Sequence, residues 1–268
     1  MTVTRGLAAT SAGALHYRTA GSGPPLLLLH INQQSSALYL ELMAALAPAF
    51  RTIAPDYPGY GMSDPVPQAP AIADYARWMV ELMDALGVPT AAVLGEAVGA
   101  VIAVELARAF PQRIGRIVLV NCPYYPDRAA ADRSHAPLKD GLRPGDTSGF
   151  PVTRTLEFVL ERDAAHAPMQ PTQDWMDRIN VAQISAGRSR WQALDALHDY
   201  PVAEALRDLT QPVLLLMGEH FHYVSCLPEF AARVRDLETG VIAGARFCMT
   251  WERADDIARH VRVFLQRR

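Results

Sequence analysis

Ala91-Ala92-Val93-Leu94 runs directly into Gly95-Glu96-Ala97-Val98-Gly99, and a helical stretch from Ala97 to Phe110 follows, stopped by Pro111. A short apolar strand, a sharp turn and a helix thus follow one another with no loop between them. The two small residues, Gly95 and Gly99, let the backbones approach closely. The stretch is no G-x-G-x-x-G dinucleotide fingerprint, and the chain has no P-loop.

Outward from this elbow, short apolar runs alternate with longer amphipathic stretches, the pattern of an α/β domain with a mostly parallel sheet. Strands are expected at Leu26–Leu29, Thr52–Ala54, Ala91–Leu94, Ile117–Val120 and Val213–Met217, with Val241-Ile242 closing the set. Helices are expected at Ser36–Leu46, Ile72–Leu86 (ended by Gly87), Ala97–Phe110 and Asp255–Gln266. Between Cys122 and Tyr200 the character changes. Proline, glycine and charge punctuate Pro123–Pro151, and helical patterns follow at Thr153–Asp163, Gln173–Ser185 and Arg190–Leu197. Residues 122–200 therefore read as a helical lid inserted into a core of residues 1–121 and 201–268.

The chain has 268 residues, half of them hydrophobic and 20% charged, enough for one α/β domain with a sizeable core. A formal charge of −3 argues against nucleic acid or an anionic membrane surface as partner. No apolar run reaches the roughly 18 residues of a membrane span, and Met1–Leu15 carries no apolar core of a signal peptide. Cys122, Cys226 and Cys248 are an odd number at wide spacings, which suits reduced thiols in a cytoplasmic protein. Lys139 is the single lysine among 25 basic residues, which reads as a GC-rich genome rather than a phosphate site, because the arginines are scattered. The sequence leaves a homodimer open.

Five segments together resemble the α/β-hydrolase fold superfamily. Leu26–Asn32 looks like its oxyanion strand and turn. Asp56-Tyr57-Pro58-Gly59-Tyr60-Gly61-Met62-Ser63 is similar to its D-x-x-G-x-G-x-S segment, the most specific match. Leu94–Gly99 stands where the nucleophile elbow belongs, Pro212–Glu219 looks like the strand before the acid loop, and Gly244–Arg253 resembles the loop that carries the histidine. The resemblance spans nearly the whole chain and implies an α/β-hydrolase fold.

The resemblance also exposes three departures. The apex is Ala97, where the family has Ser, Cys or Asp. The acid position, two residues after Gly218-Glu219, is Phe221, and the histidine position is Phe247. A triad acts as a unit, so ordinary acyl-enzyme chemistry is not expected. What the resemblance leaves is an oxyanion site built from the amides of Val98 and Asn32, beside a helix N-terminus. The family's His-Gly pair is His30-Ile31 here, and isoleucine resists backbone angles that glycine takes freely.

Other residues are candidates for the site. Gln33 follows the oxyanion strand and can hydrogen-bond a substrate, or equally cap a solvated loop. Glu96 precedes the apex and reads as a structural support before it reads as a general base. His222 with Tyr223 is the pair chosen for an acid or base, since imidazole titrates near neutrality. His220 and His222 lack a third ligand on their loop, so no metal and no cofactor are expected. Asn121 and Tyr124 follow a central strand and can line the pocket or support the lid hinge. Phe221, Phe247 and Trp191 make it apolar and aromatic, which suits a large, flat, hydrophobic aromatic ligand.

Three functions compete at this point. The favoured one is a cofactor-independent, non-hydrolytic enzyme of natural-product biosynthesis, making, cyclising, eliminating or isomerising bonds in a polycyclic aromatic or polyketide-like substrate. The second is a ligand-binding sensor or carrier. The third is a hydrolase with relocated residues, with Cys248 or Glu96 in new roles.

Overall fold

Leu26, Leu27, Leu28 and Leu29 are all fully buried, because the sheet they belong to is covered on both faces. Alternate side chains point to opposite faces of a strand. Leu27 and Leu29 join Val93, Ile117 and Leu215 in one core cluster, whereas Leu26 and Leu28 join Leu94, Val118 and Leu214 in the other.

The structure is a computed structural model that describes residues 2–137, 155, 157, 170 and 172–267. The strands are β1 Thr4–Thr10, β2 Gly13–Ala20, β3 Pro25–Leu29, β4 Arg51–Pro55, β5 Ala91–Glu96, β6 Ile114–Val120, β7 Val213–Gly218 and β8 Leu237–Ile242. They form one sheet in the order β1-β2-β4-β3-β5-β6-β7-β8. The first two pairings are antiparallel and the rest parallel. This is the α/β-hydrolase architecture. Helices α1 (Leu40–Leu46), α2 (Ile72–Ala85) and α3 (Val98–Ala109) connect the first half. After β6 come α4 (Arg128–Pro137), α5 (Gln173–Ala186), α6 (Gln192–His198) and α7 (Val202–Ala205). The chain closes with α8 (Leu227–Ala231), α9 (Met249–Glu252) and α10 (Ala254–Leu265).

The six expected strands are all present, each one to four residues longer. The β1–β2 hairpin was not expected, nor was α4, which lies in the proline- and glycine-punctuated stretch. The helix expected from Ser36 begins as a 3₁₀ turn over Ser36–Tyr39. The helix expected at Thr153–Asp163 falls outside the described residues, apart from Thr155 and Glu157. Among the described residues no helix is long and apolar enough to cross a membrane.

Two sequence features fix the loops that carry the site. The first is the Asp56–Ser63 segment. Asp56 is buried and accepts hydrogen bonds from the Ser36 amide (2.6 Å), the Met62 amide (2.9 Å) and His16 Nδ1 (2.8 Å). Burial alone would raise its pKa, but these donors hold the carboxyl below its ordinary value. Ser63 closes the loop by donating to the Asp56 carbonyl (2.8 Å) and accepting from the His16 amide (2.9 Å). Gly61 has φ 54°, and a Cβ there would lie 2.1 Å from Asp56 Oδ2. The second is the elbow: a Cβ on Gly95 would lie 2.1 Å from the Gly99 carbonyl oxygen, and one on Gly99 2.0 Å from that of Leu29. Both contacts are with backbone, so neither glycine tolerates a side chain where β3, β5 and α3 meet.

Candidate active site

Among the described residues, four that are not glycine hold a left-handed φ: Gln33 (63°), Ala97 (51°), Asn121 (45°) and Cys248 (56°). They stand beyond the carboxyl ends of β3, β5, β6 and β8. That is the edge where ligands bind in open parallel sheets. Each such conformation costs on the order of 1–3 kcal/mol and persists only where the surroundings enforce it. Four together outline one place in the fold.

Ala97 forms the elbow apex, with ψ −115°. It donates its amide to the Val120 carbonyl (3.0 Å), which locks the turn onto β6. Val98 begins α3, so its amide has no acceptor inside the helix and points along the positive end of the helix dipole. The facing turn is built on His30. Tyr57 donates its amide to His30 Nε2 (3.3 Å) and its hydroxyl to the His30 carbonyl (2.9 Å), while His30 Nδ1 contacts the Ile31 carbonyl at 2.8 Å. An Nε2 that accepts and an Nδ1 that donates define one neutral tautomer. Burial favours the same form, pushing the imidazole down to about 4. The resemblance put the conformational demand of this turn on Ile31. The positive φ instead falls on Gln33, two residues later, so Ile31 is accommodated as a buried apolar side chain.

Ala97 lies in an apolar cluster with Ile31, Cys248 and, from α5, Trp175, Met176 and Ile179. Phe247 packs against the clusters on both faces of the sheet. Phe221 is buried and stacks on Phe247, with centroids 5.9 Å apart and planes 26° from parallel. The two positions that the resemblance matched to an acid and a histidine are thus joined here by an aromatic stack. Glu96 lies fully buried under the Phe247 loop, accepting from the Met249 amide (3.0 Å) and the Thr250 hydroxyl. Burial pushes its carboxyl up to about 7 against those hydrogen bonds. These bonds make Glu96 the anchor of that loop.

Helix α5 is tied to the core at three points. Gln183 Nε2 donates to Gln33 Oε1 (2.8 Å), Arg178 grips Glu41 with two nitrogens (2.8 and 3.0 Å), and Trp175 stacks on Trp251 at 6.3 Å.

The remaining candidates are less concentrated. Asn32 is half-buried and accepts from the Tyr60 hydroxyl (3.0 Å). Asn121 is fully buried and faces backbone, donating to the Arg246 carbonyl (2.8 Å) and accepting from the Gly218 amide (3.0 Å). It splices the ends of β6 and β7 to the loop after β8. Tyr124 packs on Phe230 (5.3 Å) and under Arg233, in the core cluster that does not contain Ala97. Tyr223 shares a hydrogen bond with Ser134 (3.1 Å) and meets Tyr125 edge-on. His222 is exposed, its ring beside those of Phe221 (4.4 Å) and Tyr223 (4.2 Å). Trp191 is half-buried at the end of a 3₁₀ turn. Among the described residues no three His, Cys, Asp or Glu side chains are grouped to hold a metal.

Sequence reasoning missed Gln183 and the Arg178–Glu41 grip. The available signal for Gln183 was its place at i, i+4, i+8 with Trp175 and Ile179, which puts a polar residue on an apolar helix face.

The family model for the alpha/beta hydrolase fold matches residues 24–252. The chain belongs to the α/β-hydrolase fold family. It is similar to haloalkane dehalogenase 2 of Mycobacterium tuberculosis, 36% identical over 262 residues, covering 93% of this chain and 90% of that protein. It is also similar to 2-(acetamidomethylene)succinate hydrolase of Mesorhizobium japonicum, 28% identical over 244 residues, covering 86% of this chain and 84% of that one. A solved hydrolase from Pseudomonas aeruginosa superposes with a TM-score of 0.80 at 25% identity, covering 98% of this chain and 99% of its own. These relatives correct the favoured expectation. They carry hydrolase names, so a non-hydrolytic, cyclase-like step on a polyketide is not where the family points. That expectation had taken Ala97, Phe221 and Phe247 for a lost triad, and a lost triad for a change of reaction class. The reaction class of the relatives is hydrolysis.

Proposed function

We propose that this chain is a hydrolase that lets water attack a small carbonyl compound directly, with no covalent intermediate at the elbow. Ala97, Phe221 and Phe247 occupy the nucleophile, acid and base positions, and none offers an attacking or titrating atom. The observation that carries the reading is the backbone of Ala97. An alanine is held at φ 51°, ψ −115°, a conformation with an energetic cost and no side-chain role. Its use is to aim the Val98 amide at the space above the strand ends.

In the proposed reaction the substrate carbonyl oxygen sits against the amides of Val98 and Asn32. Water oxygen bonds to the carbonyl carbon, and the π pair moves onto the carbonyl oxygen, where the amides and the helix dipole stabilise it. Collapse breaks the bond to the leaving group, which departs with a proton from the attacking water. Ile31, Trp175, Met176, Ile179 and Phe247 favour an apolar, aromatic substrate. In this reading the insertion of residues 122–200 contributes a lid, of which α5 is clamped to the core. In hydrolases stripped of a triad, an oxyanion site and binding alone sustain about 10³–10⁴-fold acceleration over water. That is the rate expected here.

The test is a panel of 2-naphthyl and p-nitrophenyl esters and aryl lactones, with the parent protein against Ala97→Leu, whose larger side chain fills the space at the apex. Hydrolysis about 10³-fold above buffer, abolished by Ala97→Leu, is expected. A rate equal to buffer across the panel, or one indifferent to Ala97→Leu, overturns the reading.

A further inference from the structure

Gln33 and Gln183 form a buried polar pair that joins the turn after β3 to α5. Gln33 is 8% exposed and Gln183 2%. One hydrogen bond joins them, Gln183 Nε2 to Gln33 Oε1 at 2.8 Å. Gln33 Nε2 and Gln183 Oε1 are buried with no hydrogen-bond partner. Reversing both amides changes the labels and not the outcome, because a singly bonded amide pair always leaves one donor and one acceptor. Two unmet groups out of reach of solvent are a standing cost to the fold. Gln33 adds a strained backbone at φ 63° in the turn that faces the elbow. Gln183 lies two helical turns from Trp175 on the same face of α5, with Ile179 between them. Trp175 Nε1 is also buried without a partner. Apolar wall and polar end therefore belong to one helix face.

We propose that Gln33 and Gln183 form the specificity-determining end of the substrate site, and that they select a neutral carboxamide. The inference rests on the reading of Ala97 and its surroundings as the hydrolytic site. A carboxamide brings an acceptor and a donor on one carbon. Its oxygen takes the Gln33 N–H, and its N–H₂ donates to the Gln183 oxygen. A carboxylate satisfies the first group and sets an anion against the lone pairs of the second. A ketone leaves the second empty. The pair also spans the junction between the turn after β3 and α5, so a ligand that bridges both amides fastens the insertion to the core.

The experiment is isothermal titration calorimetry of the full chain with 2-naphthamide, 2-naphthoate and 2-acetylnaphthalene. These share one apolar body and differ only at the polar end. The amide is expected to bind about tenfold or more tightly than either other ligand. Gln183→Met and Gln33→Met should each bring it down to the level of the ketone. The ligands are compared within one protein, so a general loss of stability cancels, and either variant suffices if the other does not fold. Equal affinities in the parent, as when an internal water pairs the two amides, overturn the proposal. So does an amide preference that survives both variants. Ester hydrolysis is assayed in the same samples. Hydrolysis without amide preference refutes this inference alone, and amide preference without hydrolysis refutes the direct-water mechanism alone.

Discussion

On the proposed reading the elbow works without side-chain chemistry, and installing a triad there separates scaffold from side chains. Ala97→Ser alone supplies a hydroxyl at the apex, but on that reading the position of its base holds Phe247, which lies stacked on Phe221 at 5.9 Å. The serine should stay inert. Adding Phe247→His and Phe221→Asp puts a base and its partner on two side chains that already face each other. Positioned general-base catalysis contributes about 10²–10⁴-fold, so the triple variant should exceed Ala97→Ser by at least about 10² in kcat/KM for p-nitrophenyl esters. The stability cost is worked from burial. Phe221 is 2% exposed, and emptying a buried phenylalanine site costs about 3–5 kcal/mol. At roughly 2–4 °C per kcal/mol for a chain of this size, Tm should fall by about 6–20 °C, less whatever the new Asp–His pair restores. The assay is labelling by a fluorophosphonate, read by intact mass, beside ester kinetics at a temperature where every variant is folded. Labelling of Ala97→Ser at the rate of the triple variant would refute the reasoning, because a base would then already be in place.

Further predictions follow from buried groups. Glu96 is held up at about 7 from an ordinary 4.5, so the folded state keeps a proton that the unfolded state releases, and stability is lost as pH rises from about 4.5 to about 7. Glu96→Gln should therefore gain about 3 kcal/mol on the parent across that window in urea titrations, and a constant difference would show that the carboxyl is not perturbed. His30 has the opposite sign. Held down at about 4, it stays neutral while the unfolded chain protonates below about 6.5, so its contribution is lost as pH falls from about 6.5 to about 4. Asp56→Ala strips the acceptor from three donors, including the Ser36 and Met62 amides. It should cost about 3 kcal/mol or more in denaturant melts, and a loss below 1 kcal/mol contradicts its place at the centre of that loop. Arg178→Ala releases one clamp of α5. It should leave global stability within about 1 kcal/mol while speeding limited proteolysis of the α5 segment, and unchanged cleavage speaks against the clamp.

Much of the fold was legible because buried parallel strands announce themselves as apolar runs. The β1–β2 hairpin escaped for the opposite reason. Its strands are half exposed, Leu7 points to solvent, and its turn at Ser11-Ala12 lacks the Asn-Gly type of signal. Gly95 and Gly99 were legible as demands of the backbone, and the structure shows the atoms a side chain would strike. The site was legible in outline and not in roles. Asn121 reads as a polar residue at a strand end, free to bind substrate. Its partners are the Arg246 carbonyl and the Gly218 amide, distant in sequence and brought together only by the sheet order. Gln183 depends likewise on how α5 sits over the turn after β3, and no local pattern encodes that register. The strain at Gln33, Ala97, Asn121 and Cys248 was illegible because each conformation is imposed by packing and not by the residue itself.

The central claim is that the elbow works through its backbone without covalent capture of the substrate. The most direct test is rapid-quench intact-mass measurement during the first turnovers of a 2-naphthyl ester. Product should appear linearly from time zero, about 10³-fold faster than in buffer, with the mass of the protein unchanged throughout. A burst of one equivalent with the acyl group added to the protein would contradict the account, and so would a rate no greater than that of buffer.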